Sequence, residues 1–449
     1  CPPVVRVSTA PTTVPADAIP ETFRAEHPAV AADSQGNIHL VYTADFAENC
    51  IRSLVYRKYD AATNSWSAPE ILESRNEALA SGSALYHMAY MHRSAPHIAV
   101  DENDGIHVVW VMTSDMFSAN DQFDNIVYYS YKKEEGDAWT TPEKVISGGE
   151  DREIFIATSE NKVAITDRWR DRSVATVNGV ACEKVNTVYL VQKTIGIAGG
   201  WQRTAITGPE CENQYPNLAG NKNVPEFTVF TRSYDGTEEC GYFRCNASGS
   251  VASCGGGQRV WGSCAEKGAP MTYDINNNLY IAWALNNART VTINNRTTRL
   301  TTVAGQSVQG AGALALDKNN RLYLYSTDLT EEGELGSVND NHLSYIESGP
   351  ARATYAIFDI QSDGSLVLTQ PLTNLSGSPD HTGDGDLTAT SDNSMAVWMD
   401  LKDGLLHYRW LRGAAVSQSQ SPAAICGFSW CAGRVESRIH PYSPRAFSL

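Results

Sequence analysis

The stretch SAPHIAVDENDGIHVVWVMTSD, residues 94–115, recurs along the chain and limits its possible folds more than any other feature. Pro96 opens an apolar strand, Asp101 to Gly105 supply hairpin-turn residues, and Ile106 to Met112 run back as a β-branched and aromatic strand. The same order of residue types returns in HPAVAADSQGNIHLVYTAD (27–45), GAPMTYDINNNLYIAWALN (268–286) and GAGALALDKNNRLYLYSTD (310–328). A repeated unit of this kind cannot bury both faces alone and must pack against its neighbours.

Each unit continues with two further strands. KYDAATNSWSAPEIL in the first matches KKEEGDAWTTPEKVI in the second, so each unit is a four-stranded antiparallel meander. Units starting near residues 27, 95, 152, 214, 268, 310 and 381 predict an all-β, seven-bladed β-propeller, with six or eight blades as alternatives. The seventh unit is one strand short, and PVVRVS (3–8) is expected to supply it, closing the ring and protecting an edge. The expected division is 1–22 as anchor, closing strand and connector, 23–412 as the propeller, and 413–449 as an extension carrying CGFSWC.

The 51 acidic against 35 basic residues give a formal charge of −16, which argues against nucleic acid as a partner. No apolar run reaches the length of a bilayer-spanning helix, and IHVVWVM is among the longest. The ten cysteines lack the paired spacing of zinc sites and read as disulfides of an oxidising, extracytoplasmic compartment. Cys182–Cys211 and Cys426–Cys431 are the expected pairs, while Cys240, Cys245, Cys254 and Cys264 allow three pairings among themselves. Cys1 resembles the acylated first residue of a mature bacterial lipoprotein, so membrane contact is expected through an N-terminal lipid only, and Cys50 then becomes the odd thiol. Asn246, Asn295 and Asn374 stand in glycosylation triplets.

The phrase D-x-x-T-x-x-W-S-x-P, Asp60 to Pro69, together with the strand pairs, resembles the Asp-box (BNR) repeats of sialidase-like propellers over roughly residues 3–412. The resemblance implies the fold and gives Asp60 a turn-forming role. Asp33, Asp101, Asp274 and Asp317 read likewise as turn residues, and the recurrence of His39 and His107 reads as packing. Sialidase chemistry requires an arginine clamp, a Tyr/Glu pair and an acid; Arg24 in FRAEHP, Arg232, Arg352 and Asp45 are the candidates, with no Tyr/Glu pair evident. Propeller polysaccharide lyases use His, Tyr and Arg to neutralise a uronate and move its α-proton, and here His87, His92, Arg93 and Tyr215 precede inner strands.

The acidic turns DENDG, NDN and GDGD leave structural calcium open, without a full ligand loop; no other metal or cofactor is expected. Loops 73–94, 113–125, 167–186, 231–240, 286–296, 327–350 and 400–404 are expected on one face, the place for a ligand. The first expectation is a lipid-anchored binding or scaffold subunit for a partner protein or glycan on that face; the alternative is a carbohydrate-active enzyme, polysaccharide lyase or sialidase-like glycosidase.

Overall fold

The computed structural model describes residues 12–13, 25–46, 51–76, 96–114, 124–133, 136–147, 154–171, 176–177, 180–181, 185–211, 214–234, 238–255, 258–260, 269–284, 290–295, 300–304, 308–329, 351–375, 382–400 and 405–411. The chain divides into Cys1–Ala414 and Ala415–Leu449, and all of the second unit lies outside the described residues.

Among the described residues the strands form seven antiparallel sheets of four or five strands and one two-stranded hairpin. The innermost strands are Ala25–Ala32, His97–Val100, Ile156–Ser159, Gln214–Asn221, Met271–Tyr273, Val308–Leu316 and Thr382–Ala389, one per blade from blade 1 to blade 7. Each packs beside the innermost strand of the next blade, and the seventh packs beside the first, so the ring is closed. In blades 1, 3 and 4 the outer strand is broken into two pieces that both pair with the third strand. In blade 1 the pieces are Ser65–Trp66 and Glu70–Asn76; Pro69, which has no N–H to donate, stands between them.

The N-terminal segment lies on the open edge of blade 7, as expected, and the described pairing is made by Thr12–Thr13. Thr12 and Thr13 pair with Tyr408 and His407 in the middle of the Pro-rich stretch expected to be a connector, and residues 3–8 lie outside the described residues. Two expected loops also contain strand: 231–240 includes the ends of Glu226–Tyr234 and Glu238–Asn246, and 286–296 contains Thr290–Asn295. Cross-strand pairing carried these segments further than their composition suggested.

Alternation along each inner strand divides its side chains between the two neighbouring seams. Val30 packs towards Met395 and Val397 of blade 7, while Ala29 packs towards Ile98 and Trp110 of blade 2. The seams are latched by tryptophans of the outer strands. Trp139 meets Tyr56 of the preceding blade edge-on at 5.2 Å, Trp201 meets Tyr129 at 5.2 Å, and Trp66 meets Tyr408 at 5.5 Å. At the first two seams a lysine lies over the same rings, Lys132 beside Glu70 and Lys193 beside Glu143. At the closing seam Tyr59 stands at the corresponding ladder position, making an aromatic cluster with Trp66, Tyr408 and Trp410.

The turn after each inner strand is closed by its first residue. Asp33, Asp101, Asp274 and Asp317 each accept two backbone N–H bonds through Oδ1. Three residues on, Gly36, Asp104, Asn277 and Asn320 adopt positive φ, the region that Gly, Asn and Asp tolerate best. Gly220 is required for a different reason: a Cβ there would lie 1.9 Å from the Thr158 carbonyl oxygen of blade 3.

Candidate functional site: the axial channel

The four turn aspartates use their second oxygen identically. Oδ2 of Asp101 lies 3.0 Å from His107 Nε2, whose Nδ1 is 2.8 Å from the Tyr129 hydroxyl. Asp33, His39 and Tyr56 repeat this arrangement, and Asp274 and Asp317 receive Tyr280 and Tyr323 hydroxyls at the same offset. A carboxylate accepting from Nε2–H leaves Nδ1 to accept from the tyrosine, which fixes a neutral ring. Burial raises the Asp33 carboxyl, but its bonds from His39 and Asn37 outweigh that and hold it at about 2. Burial likewise keeps His107 below its ordinary value, with Asp101 opposing. His107 is 0% exposed and Asp101 3%. An Asp–His–Tyr series that resembles catalytic machinery is therefore the hinge pin of the turns of blades 1 and 2, in agreement with the packing expected from its recurrence.

The inner strands enclose an axial cavity of about 520 Å³ that reaches the turn face. Its narrow level, two residues before each turn residue, carries alanine in five blades and Thr272 and Thr388 in the other two. The residues around its mouth do not repeat. Blade 2 contributes Glu102 and Asp104, blade 4 Lys222, blade 5 Ile275, and blade 6 Lys318. Ser34 of blade 1 holds Asp104 through its amide at 2.7 Å and its hydroxyl at 2.6 Å. Asn223 joins its turn to blade 5 through Asn277 at 3.1 Å, and the Lys318 amide donates to the Ser391 carbonyl at 3.2 Å. The mouth is thus stitched turn to turn.

Tyr273, in the wall of this cavity, breaks the pattern of small or aliphatic residues at its level. Its hydroxyl donates to Glu226 Oε1 at 3.0 Å, and the Arg244 Nε donates to the same oxygen at 2.9 Å. The Thr228 hydroxyl also touches Tyr273, and burial pushes the phenol upward. This is a Tyr/Glu/Arg grouping that the sequence did not reveal, because its members come from three strands of two blades.

Nearer the long-loop end, the inner strands carry two titratable side chains at one level, His97 and Asp386. His97 meets Phe155 at 4.4 Å with the rings tilted 41° to one another, and burial, then the neighbouring His27, holds its imidazole down at about 4. His27 itself has φ of 54°, an uncommon conformation for a non-glycine residue. Asp386 accepts the Val30 amide across the closing seam at 2.9 Å and the Leu387 amide at 2.8 Å; burial nevertheless raises its carboxyl to about 6.

Of the residues singled out by sequence, Arg24, His87, His92 and Arg93 lie outside the described residues. The backbones of Asp45, Arg232 and Arg352 pair with Arg52, Cys240 and Asp328, which brings all three to the long-loop ends of blades 1, 4 and 6. Tyr215 lies in the inner strand of blade 4, where its neighbour Gln214 pairs with Arg232. Side chains of these four lie outside the described groups. Cys245 and Cys254 form a disulfide, which settles one of the three pairings left open; Cys1, Cys50, Cys182, Cys264, Cys426 and Cys431 lie outside the described residues. Cys240 and Cys211 are placed by backbone register alone, opposite Val260 and Val185. Asn246 is exposed and caps its own turn through Ser248, Asn374 pairs with Thr354, and Asn295 pairs with Tyr280. Among the described residues no group of three or more His, Cys, Asp or Glu is arranged to hold a metal. The carboxylates of DENDG that are nearest such a role, Asp101 and Asp104, are engaged by turn amides, His107 and Ser34.

No family model matches the chain, and no curated protein matches it. Solved structures do resemble it. An α-L-arabinanase from Penicillium chrysogenum, complexed with arabinobiose, has a TM-score of 0.43 at 13% identity, covering 71% of this chain and 93% of its own. A protein of unknown function from Dyadobacter fermentans gives 0.47 at 13%, covering 79% and 99%. The sialidase of Trypanosoma rangeli with sialic acid gives 0.45 at 8%, covering 88% of this chain and 55% of its own.

Proposed function

We propose that the protein is an extracytoplasmic recognition propeller that binds a partner protein or glycan across its long-loop face. The observation that carries this reading is the Asp–His or Asp–Tyr pin recurring in four turns. It commits the most reactive-looking groups of the repeats to holding a rigid frame, as a binding scaffold requires. The Cys245–Cys254 disulfide fits an oxidising compartment. The test is binding and turnover of purified protein on a polysaccharide panel that includes uronate polymers. Retention of a glycan without product supports the reading. Turnover abolished by His92→Ala or Tyr215→Ala overturns it.

A second reading, a sialidase-like glycosidase or polysaccharide lyase, is favoured by the grouping of Tyr273, in the wall of the axial cavity, with Glu226 and Arg244 behind it. A tyrosine hydroxyl donating to a carboxylate is the arrangement that a covalent glycosidase needs of its nucleophile. Under this reading Tyr273→Phe abolishes turnover while leaving the fold intact; unchanged turnover removes it.

A further inference from the structure

We propose that the turn-face end of the axial channel is a ligand site of its own, suited to a short peptide with a free carboxylate beside an apolar side chain and a cationic group at its far end. The site is independent of the long-loop face, since it opens at the opposite ends of the inner strands.

Charge around the mouth is divided. Lys222 and Lys318 come from blades 4 and 6, with Ile275 of blade 5 between them. Glu102 and Asp104 come from blade 2, three blades from Ile275 and so close to diametrically opposite in a ring of seven. The Lys222 ammonium is lowered by desolvation, against the pull of Asp104, Asp101 and Glu102 and with Lys318 repelling it. Among the described residues no carboxylate pairs with Lys222 or Lys318, although the chain carries a net charge of −16. Two cations of blades 4 and 6 at one cavity mouth, neither in an ion pair among the described residues and with the blade 2 carboxylates within electrostatic reach of Lys222, are placed to take an anion that is small enough to enter.

The third element is apolar. Ile275 is 63% exposed, the most exposed large hydrophobic residue described, and it stands between the lysines. A carboxylate held by Lys222 and Lys318 therefore has its neighbouring side chain over Ile275, and a cation at the other end of the ligand meets Glu102 and Asp104. A volume of about 520 Å³ suits a ligand of two or three residues. The mouth is preorganised: Ser34 fixes Asp104, Asn223 is tied to blade 5, and the Lys318 amide is tied to blade 7. Little ordering cost then falls on the protein when the ligand binds.

The experiment is calorimetric titration of the full chain with the tripeptide Lys-Gly-Leu and with its C-terminal amide. Expected is saturable binding of the free acid, weakened about tenfold or more by amidation and by Lys222→Ala or Lys318→Ala, since each removes a charge-assisted contact. Glu102→Gln weakens it less, and Ile275→Ser lowers the preference for Leu over Gly as the last residue. All four side chains are exposed, so unchanged melting temperatures confirm that the variants are folded. Absence of binding at millimolar peptide, equal binding of the amide, or displacement of the peptide preference by a uronate disaccharide with the same lysine dependence overturns the proposal. His92→Ala leaves this binding unchanged, which separates it from any failure of the long-loop reading.

Discussion

Replacing Asp386 by Asn produces a change in stability whose sign depends on pH. The carboxyl ordinarily titrates near 3.8 and is raised to about 6 by burial at the seam between blades 7 and 1. A raised acid binds its proton more tightly in the folded state, so its favourable contribution is complete below 3.8 and is lost as pH rises through 6. At about 1.4 kcal/mol per pH unit, ionising Asp386 in place costs roughly 3 kcal/mol by pH 8. Asn removes that cost but has one acceptor oxygen where Asp386 serves both the Val30 and Leu387 amides, a loss of about 1 kcal/mol. The variant should therefore be more stable than the parent by about 2 kcal/mol at pH 8 and less stable by about 0.5 kcal/mol at pH 4. Urea unfolding at pH 4, 6 and 8 measures both. A difference of constant sign across that range, or one independent of pH, refutes the account of Asp386 as a half-buried carboxyl with no cation beside it among the described residues.

Asp101→Ala should cost about 3–5 kcal/mol at pH 7, because it strips two turn amides and leaves His107 buried without its acceptor. Since Asp101 is held below its ordinary value, that difference is present above 3.8 and fades as pH falls through its folded value; urea midpoints follow it. Gly220→Ala should destabilise by more than about 2 kcal/mol in the same assay, as the new methyl meets a backbone carbonyl that cannot rotate away. Peptide mapping under non-reducing conditions should recover Cys245 linked to Cys254, and Cys254→Ser should cost about 2–3 kcal/mol for opening a loop of 9 residues' separation.

Much of the frame was readable because it repeats. The inner strands begin within a few residues of the expected unit starts, and His39 and His107 pack as their equivalent positions implied. Closure of blade 7 by the N-terminal segment was legible from the strand missing there, whereas the part of it that pairs with Leu406–Leu411 includes Thr12–Thr13, which carry no strand signal of their own among the surrounding prolines. Tyr273, Glu226 and Arg244 gave no local signal, being 47 and 18 residues apart in sequence. The mouth residues were recoverable in principle: Glu102, Lys222, Ile275 and Lys318 each follow the turn residue of a blade and differ from one another where their neighbours agree. Divergence at a conserved geometric position, rather than any motif, marks them.

The pairing of Thr12 and Thr13 with Tyr408 and His407 also sets an order of events during synthesis. Thr12 and Thr13 find their partners only after nearly 400 further residues have been made, so six blades can assemble while the seventh still presents an open edge. Until that late contact forms, the nascent chain is a curved strip, and the seam where Asp386 meets Val30 has only one of its walls.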